Sequence, residues 1–171
     1  MSKVKSITDI RDEVAKGLKK LTTDDLIVRR LEFGEGADGY RWELYRGDTP
    51  FWVDLVRFRG ESDILVSFSI VFGIPDEWPP EKEARLFHSL LEMNDFAVSL
   101  DTKFFLKEKA VLACASRSGS NINTESAFLL VDTFSKLLNE LSRKIAEEFP
   151  GLAQVMVGGK GIEVKVEAKE G

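Results

Sequence analysis

Apolar residues recur at spacings of three and four in three parts of the chain, and this periodicity predicts three amphipathic helices. The first helix can be capped by Ser6 or Thr8. Its apolar stripe consists of Ile7, Ile10, Val14, Leu18 and Leu21. A short middle helix is predicted to start at Pro80, after the proline-rich loop IPDEWPP, and to end near Asn94.

The longest apolar stripe lies in the predicted helix Thr124–Phe149, which Asn121 or Asn123 can cap. Its members follow a 4-3-4-3-4 spacing and are Ala127, Val131, Phe134, Leu138, Leu141 and Ile145. A stripe of this kind is typical of a helix that lies across a sheet. We therefore expect this helix to be the main cover of a β-sheet.

Four strand-like runs, each bounded by glycine or proline, lie between the first and the middle helix. They are Leu26–Phe33, Tyr40–Arg46, Phe51–Phe58 and Ser62–Phe72. The last run alternates, with Ser67 and Ser69 opposite a wholly apolar face made of Ile64, Val66, Phe68, Ile70 and Phe72. In the third run the apolar positions change face near Leu55-Val56, which predicts a β-bulge or a twist there. The short connections favour an antiparallel meander.

Two further pairs of strands follow the middle helix. Lys107-Glu108-Lys109 can join the strands Lys103–Leu106 and Ala110–Ser116 in a hairpin. Near the end of the chain, Val155–Val157 and the alternating run Ile162–Val166 flank a glycine-rich turn at Gly158–Gly161. These patterns predict a second hairpin in the tail of the chain.

The order of these elements predicts the fold class and the domain organisation. The fold class is α+β, an antiparallel β-sheet of meander plus hairpin with helices packed on it. A length of 171 residues favours a single domain, 1–171. We expect its core to cover about residues 5–149, and the tail, residues 150–171, to be a β-hairpin extension.

Composition and charge indicate the cellular compartment of the protein and the class of partner that it can bind. A net charge of −5 argues against a nucleic-acid partner, because nucleic-acid binders usually carry a basic face. Cys114 is the single cysteine, so no intramolecular disulfide can form, and this fits a reducing compartment. No apolar run has the length of a signal peptide or of a membrane span. We expect a cytoplasmic protein.

The residues that could carry catalysis are isolated in the sequence. His88 is the single histidine and lies beside the apolar stripe of the middle helix, so we interpret it as a partly exposed helix residue. Cys114 lies among apolar residues, where a thiol is mostly inert. We interpret the serines of SRSGSN, Ser116–Asn121, as turn and capping residues in preference to an anion-binding site. We expect no catalytic residue, no metal and no cofactor.

Aromatic residues are the better candidates for function. The chain has 12 Phe and three Trp, and large aromatic side chains dominate the energetics of both cores and interfaces. Core packing is the default for Trp42 and Trp52, whereas Trp78 lies in a proline-rich loop and could either anchor a partner or cap the core. The candidate partner-binding residues are Trp52, Trp78, Phe51 and Phe58.

From residue 83 to residue 145, the order of the elements and the positions of their apolar residues match a known pattern. A middle helix ends in L-L-x-x-N, a hairpin follows, and an amphipathic helix comes last. The matching residues are Leu90, Leu91, Asn94, Phe104, Leu106, Val111, Leu112 and the stripe from Phe128 to Leu141. In these features the chain resembles the type III secretion chaperone-like fold, in particular the YbjN-like group. The resemblance implies a chaperone-like fold and a protein-binding, dimeric habit.

These observations lead to three hypotheses about function. The favoured one is a non-catalytic protein-binding or chaperone-like domain, with a protein partner or a second copy in a homodimer. The contact regions would be Phe51–Phe58, the loop with Trp78 and the long helix. The alternative is a domain that binds a small apolar ligand between the sheet and the long helix, which the many Phe residues suggest. An enzyme ranks last.

Overall fold

A computed structural model shows three helices and eight strands in the part of the chain that it describes. The described residues are 5–22, 24–32, 37–46, 49–58, 63–96, 102–119, 122–157 and 164–167. The helices are α1 (Ile7–Leu18), α2 (Pro80–Phe96) and α3 (Thr124–Glu148). The strands are β1 (Ile27–Glu32), β2 (Ala37–Arg46), β3 (Thr49–Phe58), β4 (Asp63–Gly73), β5 (Thr102–Lys107), β6 (Ala110–Ser118), β7 (Gln154–Val157) and β8 (Val164–Glu167).

Side chains at the helix starts fix where α1 and α3 begin. Ser6 and Asp9 form a capping box on α1, in which each side chain bonds the backbone N–H of the other residue. At the start of α3, the Asn123 side chain accepts a bond from the Ser126 N–H at 2.9 Å, and the Ser126 hydroxyl accepts one from the Asn123 N–H at 2.8 Å. Asn123, of the two predicted caps, therefore holds this end, and Asn121 lies outside the described residues.

The sheet confirms the predicted α+β fold class. Six strands form one sheet in the order β1-β2-β3-β4-β6-β5, and β7 pairs with β8 in a separate antiparallel ladder. The first four strands are a meander, and β5 and β6 are the predicted hairpin. Glu108, in the turn of that hairpin, has a φ of 57°. The predicted turn at Gly158–Gly161 lies outside the described residues.

The register of the meander corrects one prediction. Each β2–β3 and β3–β4 pair continues without interruption through Leu55, which faces Tyr40 on one side and Leu65 on the other. The predicted bulge near Leu55 is therefore wrong. Side chains alternate between the two faces along the whole of β3, so Phe51, Val53 and Leu55 share one face and Val56 and Phe58 share the other. Both faces of this strand carry apolar side chains, and this produces the apparent change of face in the sequence.

The chain divides into two compact units. Unit 1 comprises Met1–Phe68 and Ala115–Ser135, and unit 2 comprises Ser69–Cys114 and Lys136–Gly171. The core of unit 1 includes Val14, Leu18, Trp42, Phe51, Leu55, Leu65 and Phe134. The core of unit 2 includes Ile74, Leu86, Leu90, Phe104, Leu138, Ile145 and Phe149. The number of domains stays a prediction.

Candidate partner-binding surface

The two faces of the sheet in unit 1 differ in what covers them. On one face, the Arg11 guanidinium of α1 lies 5.2 Å from the centre of the Tyr40 ring, and Phe134 of α3 meets Phe51 edge-on at 5.9 Å. Alternate residues of a strand share a face, so Trp42 and the buried side chains beside it belong to this helix-covered face. Trp42 is a core residue, as the sequence predicts.

The opposite face of β1–β4 carries the side chains that we call the outer face. Its members, read from the strand registers, are Ile27, Arg29, Leu31, Arg41, Glu43, Trp52, Asp54, Val56, Phe58, Ile64, Val66 and Phe68. Phe58 is 42% exposed and Ile27 is 56% exposed. Four further apolar members are half-buried, namely Val56, Ile64, Val66 and Phe68. The outer face is thus mostly apolar and partly open to solvent.

The charged groups of the outer face pair with one another. Arg41 donates two bonds of 2.7 Å to the two carboxylate oxygens of Asp54, and this raises the pKa of the Arg41 guanidinium. The same guanidinium lies 5.2 Å from the centre of the Phe68 ring, which stacks on Trp52 at 5.5 Å. Glu43 pairs with a neighbouring arginine of β1 at 3.5 Å. No net charge therefore opposes the burial of this face.

The structure places the four predicted partner-binding residues in different environments. Phe51 is buried on the helix-covered face, and Trp52 is buried on the outer face beneath its stacked neighbour Phe68. Trp78 is also buried, in unit 2. Phe58 alone among the four is exposed. The role of these residues in binding stays a prediction, and Phe58 is the member that a partner can reach in this conformation.

Trp78 is held by contacts within unit 2. The Lys82 ammonium lies 3.8 Å from the centre of the indole ring and donates a 2.8 Å bond to the carbonyl of Pro150. Gly151 follows with a φ of 89°, a backbone conformation that favours glycine. A lysine that covers the ring and ties it to the residues after α3 makes Trp78 part of the structure at this end of unit 2.

His88 and Cys114 lie on separate elements, α2 and β6, and neither belongs to a catalytic group among the described residues. His88 is exposed on α2 and lies 3.3 Å from Glu92, one turn further along the helix. It borders an open groove of about 430 Å³, lined by Ala84, Arg85, His88, Ser89, Glu92 and Glu148. Cys114 is half-buried, and burial raises the pKa of its thiol. Among the described residues, no group of three potential ligands is placed to hold a metal ion.

The space between the sheet and the first half of α3 bears on an apolar ligand. Within unit 1 it holds a cavity of about 20 Å³, lined by Leu21, Leu44, Tyr45, Phe51, Val131 and Ser135. Pockets for small molecules usually have volumes of about 300–1,000 Å³, and a cavity of this smaller size has room for about one water molecule. The geometry of this region therefore gives no support to the apolar-ligand hypothesis.

A carboxylate of α1 lies at the start of α3. Thr124 donates its hydroxyl hydrogen bond to the Glu13 carboxylate, and Lys20 pairs with Glu125 at 3.2 Å. Helix N-termini favour negative charge, and Asn123 already bonds one N–H there. These contacts engage the polar residues at this helix end. Ser120 of the predicted capping loop lies outside the described residues.

We expect Glu13 to make stability depend on acid pH. Its pKa is lowered from the ordinary value of 4.5, first by the Thr124 hydrogen bond and then by the charge of Lys16. A group whose pKa is lowered on folding contributes stability above its unfolded pKa and loses it as the pH falls through the folded value. Denaturant unfolding between about pH 5.5 and 3 should therefore show a shallower loss of stability in Glu13→Gln than in the wild type.

Glu125→Gln provides the matched control for this pH dependence, because it removes an exposed carboxylate from the first turn of α3. We expect it to leave the Glu13–Thr124 hydrogen bond in place, so its slope should stay steeper than that of Glu13→Gln. Identical slopes for Glu13→Gln and the wild type would contradict the assignment.

The described part of the protein therefore defines an α+β sheet protein with a partly open apolar sheet face. None of its described helices is both long and apolar enough to cross a membrane. No protein-family model matches the chain, and no curated protein matches it. The chain is similar to one in the crystal structure of the ExsC-ExsE complex, with a TM-score of 0.46 and 14% sequence identity. The match covers 81% of this chain and 94% of that chain.

Proposed function

We propose that this protein is a non-catalytic protein-binding domain, and that its outer face pairs with a second copy in a homodimer. The observation that carries the proposal is the partly exposed apolar surface of β1–β4, from Ile27 at one end to Phe58 at the other. Contiguous exposed apolar surface, especially with aromatic members, is typical of protein-interaction sites.

The charges of the outer face favour a second copy as the partner. Arg41 and Asp54 neutralise each other, as do Arg29 and Glu43. In a twofold-symmetric dimer the same patch meets itself, so any uncompensated charge would face its own like. Because the pairs are internal to each chain, two outer faces can approach without that repulsion. Their apolar members would supply the favourable free energy of association.

The exposed ring of Phe58 provides the first test of the proposed surface. We expect Phe58→Asp to shift the protein from dimer to monomer, because the substitution places an unpaired charge in an apolar contact. Analytical ultracentrifugation at micromolar concentration measures the mass. Circular dichroism checks that the variant remains folded, which we expect because Phe58 is already 42% exposed at the end of β3.

Leu129→Asp serves as the matched control on α3. Leu129 is 46% exposed, similar to Phe58, and lies in a helix of unit 1 that covers the other face of the sheet. We expect this variant to remain dimeric. A folded Phe58→Asp variant that stays dimeric while Leu129→Asp becomes monomeric would contradict the outer face and assign the contact to the long helix.

A further inference from the structure

An asparagine at the end of α2 binds the backbone of the sheet's last strand. Asn94 donates its amide to the carbonyl of Phe104 at 2.9 Å and accepts the N–H of Phe104 at 2.6 Å. Lys103 returns a bond of 3.0 Å to the backbone carbonyl of Asn94. The asparagine thus satisfies both backbone groups of one strand residue, as a residue of a neighbouring strand would.

This contact lies at the edge of the sheet. β5 is the last strand in the order of the described sheet, with β6 on its inner side. In an antiparallel ladder, the N–H and C=O of one residue point to the same neighbour. Since both groups of Phe104 bind Asn94, they point outward, to the side where the next strand would add. Asn94 therefore occupies the free edge of the sheet.

We propose that Asn94 closes the β5 edge against the addition of a strand from another chain. An open edge presents unpaired backbone groups on which another chain can build a strand. Thr102 and Phe104 are buried, so the exposed part of β5 is the end nearest the hairpin turn. That end still exposes Phe105 and Leu106, at 41% and 40%, and such apolar side chains would favour association if the edge were open.

The surroundings of the clamp support a protective role. Edge strands are commonly guarded by lysine side chains, and β5 carries Lys103 and Lys107. Leu91, one turn before Asn94 on α2, is 67% exposed. This inference is independent of the proposed homodimer, because it concerns the β5 edge in unit 2 and not the outer face of unit 1.

The test compares Asn94→Leu with Asn139→Leu. Both substitutions replace an asparagine on a helix with a leucine, but Asn139 lies exposed on α3. Hydrogen exchange followed at single amides should show the Phe104 N–H exchanging about tenfold faster, or more, in Asn94→Leu than in the control. Light scattering should show concentration-dependent association that is greater for Asn94→Leu than for Asn139→Leu.

Asn94→Asp is the second variant, and it keeps the test valid if Asn94→Leu does not fold. Its carboxylate can still accept the Phe104 N–H but cannot donate to the Phe104 carbonyl. We expect Phe104 to keep most of its protection in this variant. Protection of Phe104 that does not change in Asn94→Leu would overturn the proposal, and so would association no greater than that of Asn139→Leu.

Discussion

Replacing Gly17 with alanine should destabilise the protein by about 2 kcal/mol, although alanine is the better helix former. Gly17 lies in α1 where that helix meets the first turn of α3. A Cβ atom at this position would overlap the backbone carbonyl oxygen of Thr124 and would lie 3.1 Å from the Cβ of Ala127. The nearest atom belongs to the backbone of a helix, so relief requires the two helices to move apart.

The size of this effect follows from two opposing contributions. Alanine in place of glycine in a helix interior usually gains about 1 kcal/mol. Overpacking a filled contact usually loses about 1–3 kcal/mol, and separating α1 from α3 would also disturb the Glu13–Thr124 hydrogen bond. We expect the second contribution to win. Urea unfolding measures the difference, and Gly17→Ala should also lower the melting temperature.

Lys16→Ala, at the preceding and exposed position of α1, is the control on the same helix, and it removes only the exposed 3.5 Å pair with Glu13. We expect it to change stability by no more than about 0.5 kcal/mol. A Gly17→Ala variant at least as stable as the wild type would show that the close approach of the two helices is wrong.

The second large effect concerns the ion pair of the outer face. We expect Asp54→Ala to lower the free energy of unfolding by about 3 kcal/mol, because it leaves the Arg41 guanidinium part-buried without its carboxylate. Arg41 also loses the geometry that places it over Phe68. Guanidinium-chloride unfolding in low and moderate salt measures the change.

A double variant separates the ion pair from the shape of the site. Arg41→Met with Asp54→Leu replaces both charges with apolar side chains of similar length, and such replacements are often neutral or stabilising. We expect this double variant to recover most of the stability that Asp54→Ala loses. If the double variant is as unstable as Asp54→Ala, packing rather than an unpaired charge accounts for the loss.

Most elements of the fold could be predicted from the sequence because their signals are local. The stripe from Ala127 to Ile145 needs only a 3.6-residue period, and α3 matches it within one residue at its end. Ser6 and Asn123 were among the predicted caps, since a cap depends on the residues within one turn of the helix.

The faces of the sheet could not be predicted in the same way. On β4 the wholly apolar set includes Ile64, Val66 and Phe68, yet it is Leu65, Ser67 and Ser69 that are fully buried. Burial of the two serines leaves the Ser67 hydroxyl without a hydrogen-bond partner among the described residues. Alternation shows which residues share a face, but only the packing of other elements decides which face is covered.

The same limit applies to the single residues that matter most in this account. The sequence makes Trp52 and Phe51 candidates for partner contact, but it does not show that each packs on a large ring within the chain, Phe68 and Phe134 respectively. Asn94 is part of the pattern L-L-x-x-N, but its role depends on Phe104, ten residues further on. Gly17 reads as a weakness of α1 until Thr124 is known to lie against it. Long-range neighbours of this kind leave no local pattern.

The most direct test of the central claim is the mass of the native protein in solution. Sedimentation equilibrium at micromolar concentration should give twice the mass of one chain, with dissociation on dilution at a concentration set by the dimer affinity. If the outer face forms the contact, the Phe58→Asp variant should sediment as one chain. A strictly monomeric mass for the wild type across the micromolar range would contradict the proposed homodimer.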